Sequence, residues 1–289
     1  MTKVAWIGTG VMGAPMAAHL QRAGYAVFAC NRTPQKAEAL REMGVTPCET
    51  IAQAVKDADF VFTMVGYPRD VEQVYLAQDG VMSHIRPGAI AVDMTTSSPE
   101  LAERLYAAGK ERGVSVLDAP VSGGDTGAKN AALTIMAGGD EEAYEKAMPL
   151  FRCMGKTMNY MGGAGMGQHT KACNQIGVAG ATAAYTEALS YALRVGLDPE
   201  RMLAAIAAGS AGSWQIDHMA PRALSGDHAP GFFMKHFIKD MRIASAAAAE
   251  KGLVLPMLET VLEEYEQMAD MGLENEGTQA LIRRYFEER

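Results

Sequence analysis

The sequence holds 289 residues, of which 48% are hydrophobic and 21% charged, with a formal net charge of -8. That balance suits a globular chain long enough for two domains with sizeable cores, and with no basic run it excludes a surface built for a nucleic-acid backbone. No stretch of about 18 apolar residues predicts a membrane span, and MTKVAWIGTG lacks the charged and apolar regions of a signal peptide, so a cytoplasmic protein is expected.

The first half alternates short apolar runs with helical patterns. VAWI (4–7) precedes a helix near 12–23, and AVFAC (26–30) precedes one near 35–43. Thr50 with Gln53 forms a capping box for a third helix. FVFTMV (60–65) and AIAVDM (89–94) are continuous apolar runs, as expected of strands buried on both faces. Ser98 caps a helix running from Pro99 toward Gly113, and VSVLDAP (114–120) and LTIMAG (133–138) follow. Asp140 is the expected N-cap of a helix from about Glu141 to Met154. This rhythm predicts a doubly wound, Rossmann-type parallel sheet.

After TMNYMGGAGMG (157–167) no strand pattern is evident. Residues 168–195 read as one long helix, followed by helices over 199–208, 234–250, 256–270 and others. The glycine cluster Gly162–Gly167 marks the boundary. The chain is therefore read as α/β: a nucleotide-binding domain over 1–164, then an all-helical domain over 165–289.

Gly8, Gly10 and Gly13 form a G-x-G-x-x-G pattern directly after the first strand and at the start of a helix. In that context the glycines allow a tight turn, backbone approach to a pyrophosphate and close helix–strand packing, while the amides of the first turn, around Val11 and Met12, offer positive charge to phosphates. An NAD site usually carries an acid at the end of the second strand, for the ribose hydroxyl. Here the chain reads Asn31-Arg32-Thr33, with no carboxylate between Gly13 and Glu38. Arg32 suits a 2′-phosphate, with Thr33 and Lys36 adding a hydroxyl and a cation. NADP is therefore the expected cofactor, with NAD the alternative; a solvated loop arginine is the competing reading of Arg32.

Four separated segments resemble the β-hydroxyacid dehydrogenase family: IGTGVMGAPMAAHL (7–20), DAPVSGG (118–124), GMGQHTKACNQ (165–175) and FIKDMRIA (237–244). Thr9 stands where the family usually has leucine, and Gln175 where it often has asparagine. The resemblance implies that Lys171 is the catalytic general acid and base, and that Ser122, Gly123, Gly124, Asn174 and Gln175 bind substrate. It further implies that Val65, Gly66 and Thr96 line the cofactor and that Lys239 closes over it. Asp240 either orients Lys239 or is a solvated charge; Trp214 either walls the substrate pocket or packs in the core.

The residues also have readings of their own, in which a lone lysine such as Lys171 would be a solvated surface charge. Ser122-Gly123-Gly124 exposes amides and a hydroxyl suited to a carboxylate, although a plain turn would look the same. Lys171, Asn174 and Gln175 are spaced i, i+3, i+4 and share one helix face. Cys30, Cys48, Cys153 and Cys173 form no C-x-x-C pair, and the histidines lack partners at ligand spacing, so no metal is expected. The function predicted is hydride transfer between NADP(H) and a small 3-hydroxy acid, or a semialdehyde or 2-oxo acid, by a homodimer or homotetramer. Two rivals differ in sequence: an imine reductase would replace Lys171, and a non-catalytic NADP-binding regulator has no need of Lys171 beside Asn174.

Overall fold

A computed structural model describes residues 1–286. The chain divides into two compact units, Met1–Lys171 and Ala172–Arg289, the second described to residue 286. The division falls after Lys171, inside a continuous helix.

The first unit is built on one sheet of nine strands among the described residues: β1 (Lys3–Ile7), β2 (Ala26–Cys30), β3 (Thr46–Pro47), β4 (Phe60–Thr63), β5 (Ile90–Asp93), β6 (Ser115–Asp118), β7 (Val121–Ser122), β8 (Leu133–Gly138) and β9 (Gly155–Gly162). The order is β3-β2-β1-β4-β5-β6-β8-β7, with β9 also paired to β8. All neighbours from β3 through β6 run parallel; β8 is antiparallel to β6 and β7, and β9 is parallel to β8. The sheet is thus mostly parallel, as the apolar runs predict. All four residues of β5 are buried, as a strand covered on both faces requires.

Its helices are α1 (Gly13–Arg22), α2 (Pro34–Glu38), α3 (Ile51–Val55), α4 (Pro68–Leu76), α5 (Val81–His84), α6 (Pro99–Lys110), α7 (Gly124–Lys129) and α8 (Glu141–Phe151). On one face of the sheet Trp6 stacks on Phe62 at 5.5 Å between ring centroids, and Phe62 meets Phe151 edge-on at 6.2 Å. The other face buries Val61, Tyr75 and Leu105.

Local chemistry explains where sequence and structure differ. The helix expected over 35–43 ends at Glu38 and resumes as a 3-10 turn, Arg41–Met43; Gly44, at φ 86°, then turns the chain into β3. Asp140 does occupy the N-cap position, but its side chain makes no capping bond. It accepts instead from the Tyr106 hydroxyl at 2.6 Å and pairs with Lys110 at 2.9 Å. At Thr50 the cap forms: the Gln53 amide donates to Thr50 Oγ1 at 3.2 Å, while the Gln53 side chain takes the Glu49 amide. Strands β3 and β7 have two residues each, too few to leave a period, and β9 lacks an apolar run because most of its side chains are not buried.

The long helix α9 (Met166–Arg194) runs from the first unit into the second. The second unit continues with α10 (Pro199–Ala207), α11 (Trp214–His218), α12 (Ala220–Leu224), α13 (Met234–Glu250), α14 (Pro256–Asp270), a 3-10 turn Thr278–Ile282 and α15 (Arg283–Phe286). One of its cores packs Phe237 edge-on to Tyr265 at 5.1 Å, with Met234, Met241 and Leu258 around them. A second gathers Tyr185, Leu189, Ile216 and Ala220.

Candidate active site

The glycine loop joins β1 to α1 and is shaped by close backbone approach. Gly8 has φ +95°, and a Cβ there would lie 2.2 Å from the Met64 carbonyl oxygen. A Cβ on Gly13 would lie 2.0 Å from the Gly8 carbonyl, which also accepts from Trp6 Nε1 at 2.9 Å. A Cβ on Gly10 would meet nothing within 4 Å. The loop is therefore tight where helix and strand touch and open at the second glycine. Val11 beside it is exposed and Met12 half-buried. Among the first residues of α1, Ala14 donates its amide to the Gly10 carbonyl at 3.0 Å and Pro15 has none. This cradle fits a dinucleotide pyrophosphate.

The end of β2 is tied to this loop. Asn31 Oδ1 accepts from the Thr9 amide at 2.9 Å, and Asn31 Nδ2 donates to the Thr33 carbonyl at 2.9 Å. Arg32, Thr33 and Lys36 are all exposed. One neighbour of Arg32 is distant in sequence: Asp70, in the first turn of α4, stands 3.5 Å from its guanidinium. Asp70 is fixed there, because its other oxygen accepts from the Tyr67 amide at 3.1 Å. So the strand end lacks an acid, but the fold brings one beside Arg32.

The ends of β4 and β5 are joined by a buried polar chain. Thr63 Oγ1 lies 3.2 Å from the Tyr75 hydroxyl and donates to Asp93 Oδ1 at 2.7 Å. The same Asp93 oxygen accepts from the Thr95 amide at 3.1 Å, and Thr95 Oγ1 accepts from the Val65 amide at 3.0 Å. Val65, Gly66 and Thr96 are half-buried around this chain. Ser122 is half-buried on β7, and Gly123 and Gly124, at φ +129° and +62°, open α7.

The N-terminus of α9 rests on Asp118, at the end of β6. One carboxylate oxygen accepts from the Gly165 amide at 2.9 Å and the other from the Gln168 amide at 2.8 Å. The Gln168 side chain, 1% exposed, accepts from the Ser97 amide at 2.9 Å and donates to the Thr95 carbonyl at 2.8 Å. Lys171 follows on α9 and is 6% exposed. In the second unit, Asn174 Nδ2 donates to Gln175 Oε1 at 2.7 Å and Gln175 Nε2 to Asp240 Oδ2 at 2.7 Å. Lys239 Nζ lies 3.1 Å from Asp240 Oδ1. Asp240 is buried, not solvated. Burial, reinforced by the nearby Lys239 charge, lowers the pKa of His236. Trp214 is 59% exposed and stacks on His218 at 4.5 Å, so it is not a core residue.

Residues 3–163 match the family model described as the NAD binding domain of 6-phosphogluconate dehydrogenase, and residues 165–285 match that of the NAD-binding domain of NADP-dependent 3-hydroxyisobutyrate dehydrogenase. The chain is 46% identical over 280 residues, 97% of each chain, to the uncharacterized oxidoreductase YkwC of Bacillus subtilis. It is 45% identical to the probable 3-hydroxyisobutyrate dehydrogenase-like 1, mitochondrial, of Arabidopsis thaliana, over 97% of this chain and 84% of the other. The solved Mycobacterium tuberculosis 3-hydroxyisobutyrate dehydrogenase, with L-serine, superposes with a TM-score of 0.92 at 31% identity, over 98% of this chain and 99% of that one. The chain belongs to the β-hydroxyacid dehydrogenase family. It is accordingly an NAD(P)-dependent oxidoreductase of the hydroxyacid dehydrogenase class.

Within this β-hydroxyacid dehydrogenase the structure adds residues that the sequence reading passed over. Asp70 was legible only as the acid at the third position of a helix opened by Pro68. Asp118 stood inside a recognised segment, but its bonds to Gly165 and Gln168 cross about fifty positions of chain. Gln168 lies one helical turn before Lys171, with nothing in its spacing to mark it. Among the described residues no group of three or more His, Cys, Asp or Glu side chains is arranged to hold a metal, and no helix is long and apolar enough to cross a membrane.

Burial pushes the Asp118 carboxyl up to about 7, against the backbone N–H groups of Gln168 and Gly165, with the Asp93 charge adding to the rise. The folded protein thus retains a proton that an unfolded aspartate, with a pKa near 3.9, has released. The stabilisation is full below about pH 4 and is lost as pH rises through about 7. Asp118→Asn cannot titrate. Between about pH 5 and 7 the parent should lose stability relative to that variant, by up to about 1.4 kcal/mol per pH unit. Urea unfolding across that range checks this; parallel stability curves would show that Asp118 does not titrate there.

Proposed function

We propose that this protein is an NADP-preferring dehydrogenase that interconverts a small 3-hydroxy acid and its semialdehyde, or a 2-hydroxy acid and its 2-oxo acid, with Lys171 as general acid and base. The observation that carries the reading is a buried lysine on a helix whose first turn is held by Asp118, with two amide side chains in the following turn. A lysine withdrawn from water without a fixed function is costly, since its charge must be compensated. When bound, the nicotinamide supplies or takes up the hydride.

The chain's own residues do the rest. Lys171 gives a proton to the carbonyl oxygen during reduction and takes it from the hydroxyl during oxidation, so no free alkoxide forms. Asn174 and Gln175 hold the ammonium or the substrate hydroxyl. Ser122 and the amides of Gly123 and Gly124 hold the carboxylate, which sets the carbon to be reduced or oxidised. Gly8, Gly10 and Gly13, with the amides around Val11 and Met12, hold the pyrophosphate. Val65, Gly66, Thr96 and Lys239 line the remainder of the dinucleotide. The helical domain starts, in this reading, at residue 165.

Arg32 supports the choice of NADP. It is highly exposed and paired only loosely with Asp70, so its guanidinium is free to turn to a 2′-phosphate, aided by Asn31, Thr33 and Lys36. Assembly through the helical half is supported by apolar side chains in the open at the end of α9 and beside α14: Tyr191 at 68%, Val254 at 76% and Met257 at 74% exposure.

Three measurements test the reading. Light scattering at micromolar concentration should give the mass of a dimer or tetramer; a monomer mass overturns the assembly. NADPH should be preferred over NADH, and Arg32→Asp should erase or reverse the preference; equal efficiency with both cofactors, unmoved by the substitution, removes the assignment. Lys171→Ala should lower kcat by roughly 10²–10⁴-fold with semialdehydes or glyoxylate, leaving NADPH affinity nearly unchanged. Lys171→Arg should recover little, because a guanidinium does not release its proton. Retained turnover in Lys171→Ala would place the proton donor elsewhere, and no turnover in the parent with any semialdehyde or oxo acid would favour a non-catalytic binding protein.

A further inference from the structure

Two parts of the first unit must hold their places together for hydride and proton to reach one substrate. The first is the turn after β5, carrying Thr96; the second is the start of α9, carrying Lys171. They are separated by seventy-odd residues of chain, and one side chain bridges them. The carboxamide of Gln168 accepts from the Ser97 amide at 2.9 Å and donates to the Thr95 carbonyl at 2.8 Å. It thus grips the peptide groups on either side of Thr96. Its own backbone amide is held by Asp118 at 2.8 Å. At 1% exposure, both of its side-chain bonds are shielded from water.

We propose that Gln168 is a positioning residue, whose carboxamide clamps the Thr95–Ser97 turn to the first turn of α9 and so fixes Lys171 relative to Thr96. The proposal rests on the reading of Lys171 as the proton-transfer group. Three features make the clamp specific. A carboxamide offers an acceptor and a donor side by side at any pH, matching one N–H and one C=O. Gln168 lies three residues before Lys171, about one helical turn, so a shift of its end of the helix is passed to the lysine. The seat beneath is rigid: a Cβ on Gly167 would lie 2.4 Å from the Met136 carbonyl and 2.5 Å from that of Asp118. The first turn of α9 therefore lies flat on the strand ends, and the side chain of Gln168 sets its remaining freedom against the turn after β5.

Positioning of this kind acts on rate more than on binding, since a misplacement of about 1 Å between reacting groups can cost on the order of 100-fold. The test uses full-length protein carrying Gln168→Met, which keeps the volume and loses both bonds, and Gln168→Glu, which can still accept from Ser97 but sets an acceptor against the Thr95 carbonyl. In cofactor-free protein, hydrogen–deuterium exchange of the segment 94–99 should rise in Gln168→Met, while protection in β1 and β4 stays as in the parent. With NADPH and the best substrate, kcat should fall roughly 10–100-fold, with NADPH Kd, read from its fluorescence, changing no more than about twofold. Gln168→Glu should fall between parent and Gln168→Met in exchange and in turnover.

Turnover of Gln168→Met close to the parent's overturns the proposal. So does a loss of kcat accompanied by equal loosening of β1 and β4 and weaker NADPH binding, which is what a merely structural amide would give. Lys171→Ala, assayed alongside, separates the two readings. If it keeps its turnover, the Lys171 reading falls, and the positioning claim with it, even where exchange shows the clamp. If it loses turnover while Gln168→Met does not, Lys171 stands and the clamp is overturned.

Discussion

A single buried carboxylate sets the geometry of the first unit's chemistry. Asp118 ends β6 and accepts the Gly165 and Gln168 amides that α9 leaves without intrahelical partners. A negative group at this end also meets the positive end of the helix dipole. The arrangement has a cost, because the same burial that strengthens these bonds opposes the charge and raises the carboxyl's pKa to about 7. The glycines around it reflect how little room remains: Cβ atoms on Gly138 and Gly167 would each approach the carboxylate within 3 Å. In the Gly-rich run before Lys171, Gly167 is therefore a packing requirement of this seat.

At the ends of β4 and β5 the buried polar groups of Thr63, Asp93 and Thr95 have defined partners. Tyr75, Thr63, Asp93, Thr95 and Val65 form one connected path from α4 through β4 and β5 to the turn before α6. Parallel strands all present their carboxyl ends on one side, so loops that must carry function begin together. The network fixes the starting angle of each loop. The peptide groups on either side of Thr96 are held by the Gln168 carboxamide.

Much of this was legible in the sequence, for physical reasons. Continuous apolar runs such as AIAVDM read as strands because both faces are covered, and Gly8 and Gly13 read as a nucleotide loop because no side chain fits there. Helical spacing placed Lys171, Asn174 and Gln175 on one face, but only the family resemblance marked them as a site. What could not be read was contact between distant segments. Nothing near Arg32 in sequence is acidic, yet α4 brings Asp70 to it. A glutamine at 168 looks like any helix residue until Thr95 and Ser97 are placed against it. Strand β9 was missed because its pairing to β8, not its own hydrophobicity, makes it a strand.

The second unit solves a related problem of orientation with charge. Lys239 and Asp240 form a pair whose side chains are 11% and 2% exposed. Burying both charges gives back little net stability, so the pair is better explained by what it orients than by what it stabilises. Asp240 offers only acceptor atoms to Gln175, so the nitrogen of that amide must face it, and the Gln175 oxygen turns to Asn174. That oxygen in turn demands the nitrogen of Asn174. Each amide in the relay has one orientation because a carboxylate at its far end cannot donate. The acceptor oxygen of Asn174 is at the other end of the relay. The charge on Asp240 thus fixes, through two neutral side chains, which atom Asn174 presents.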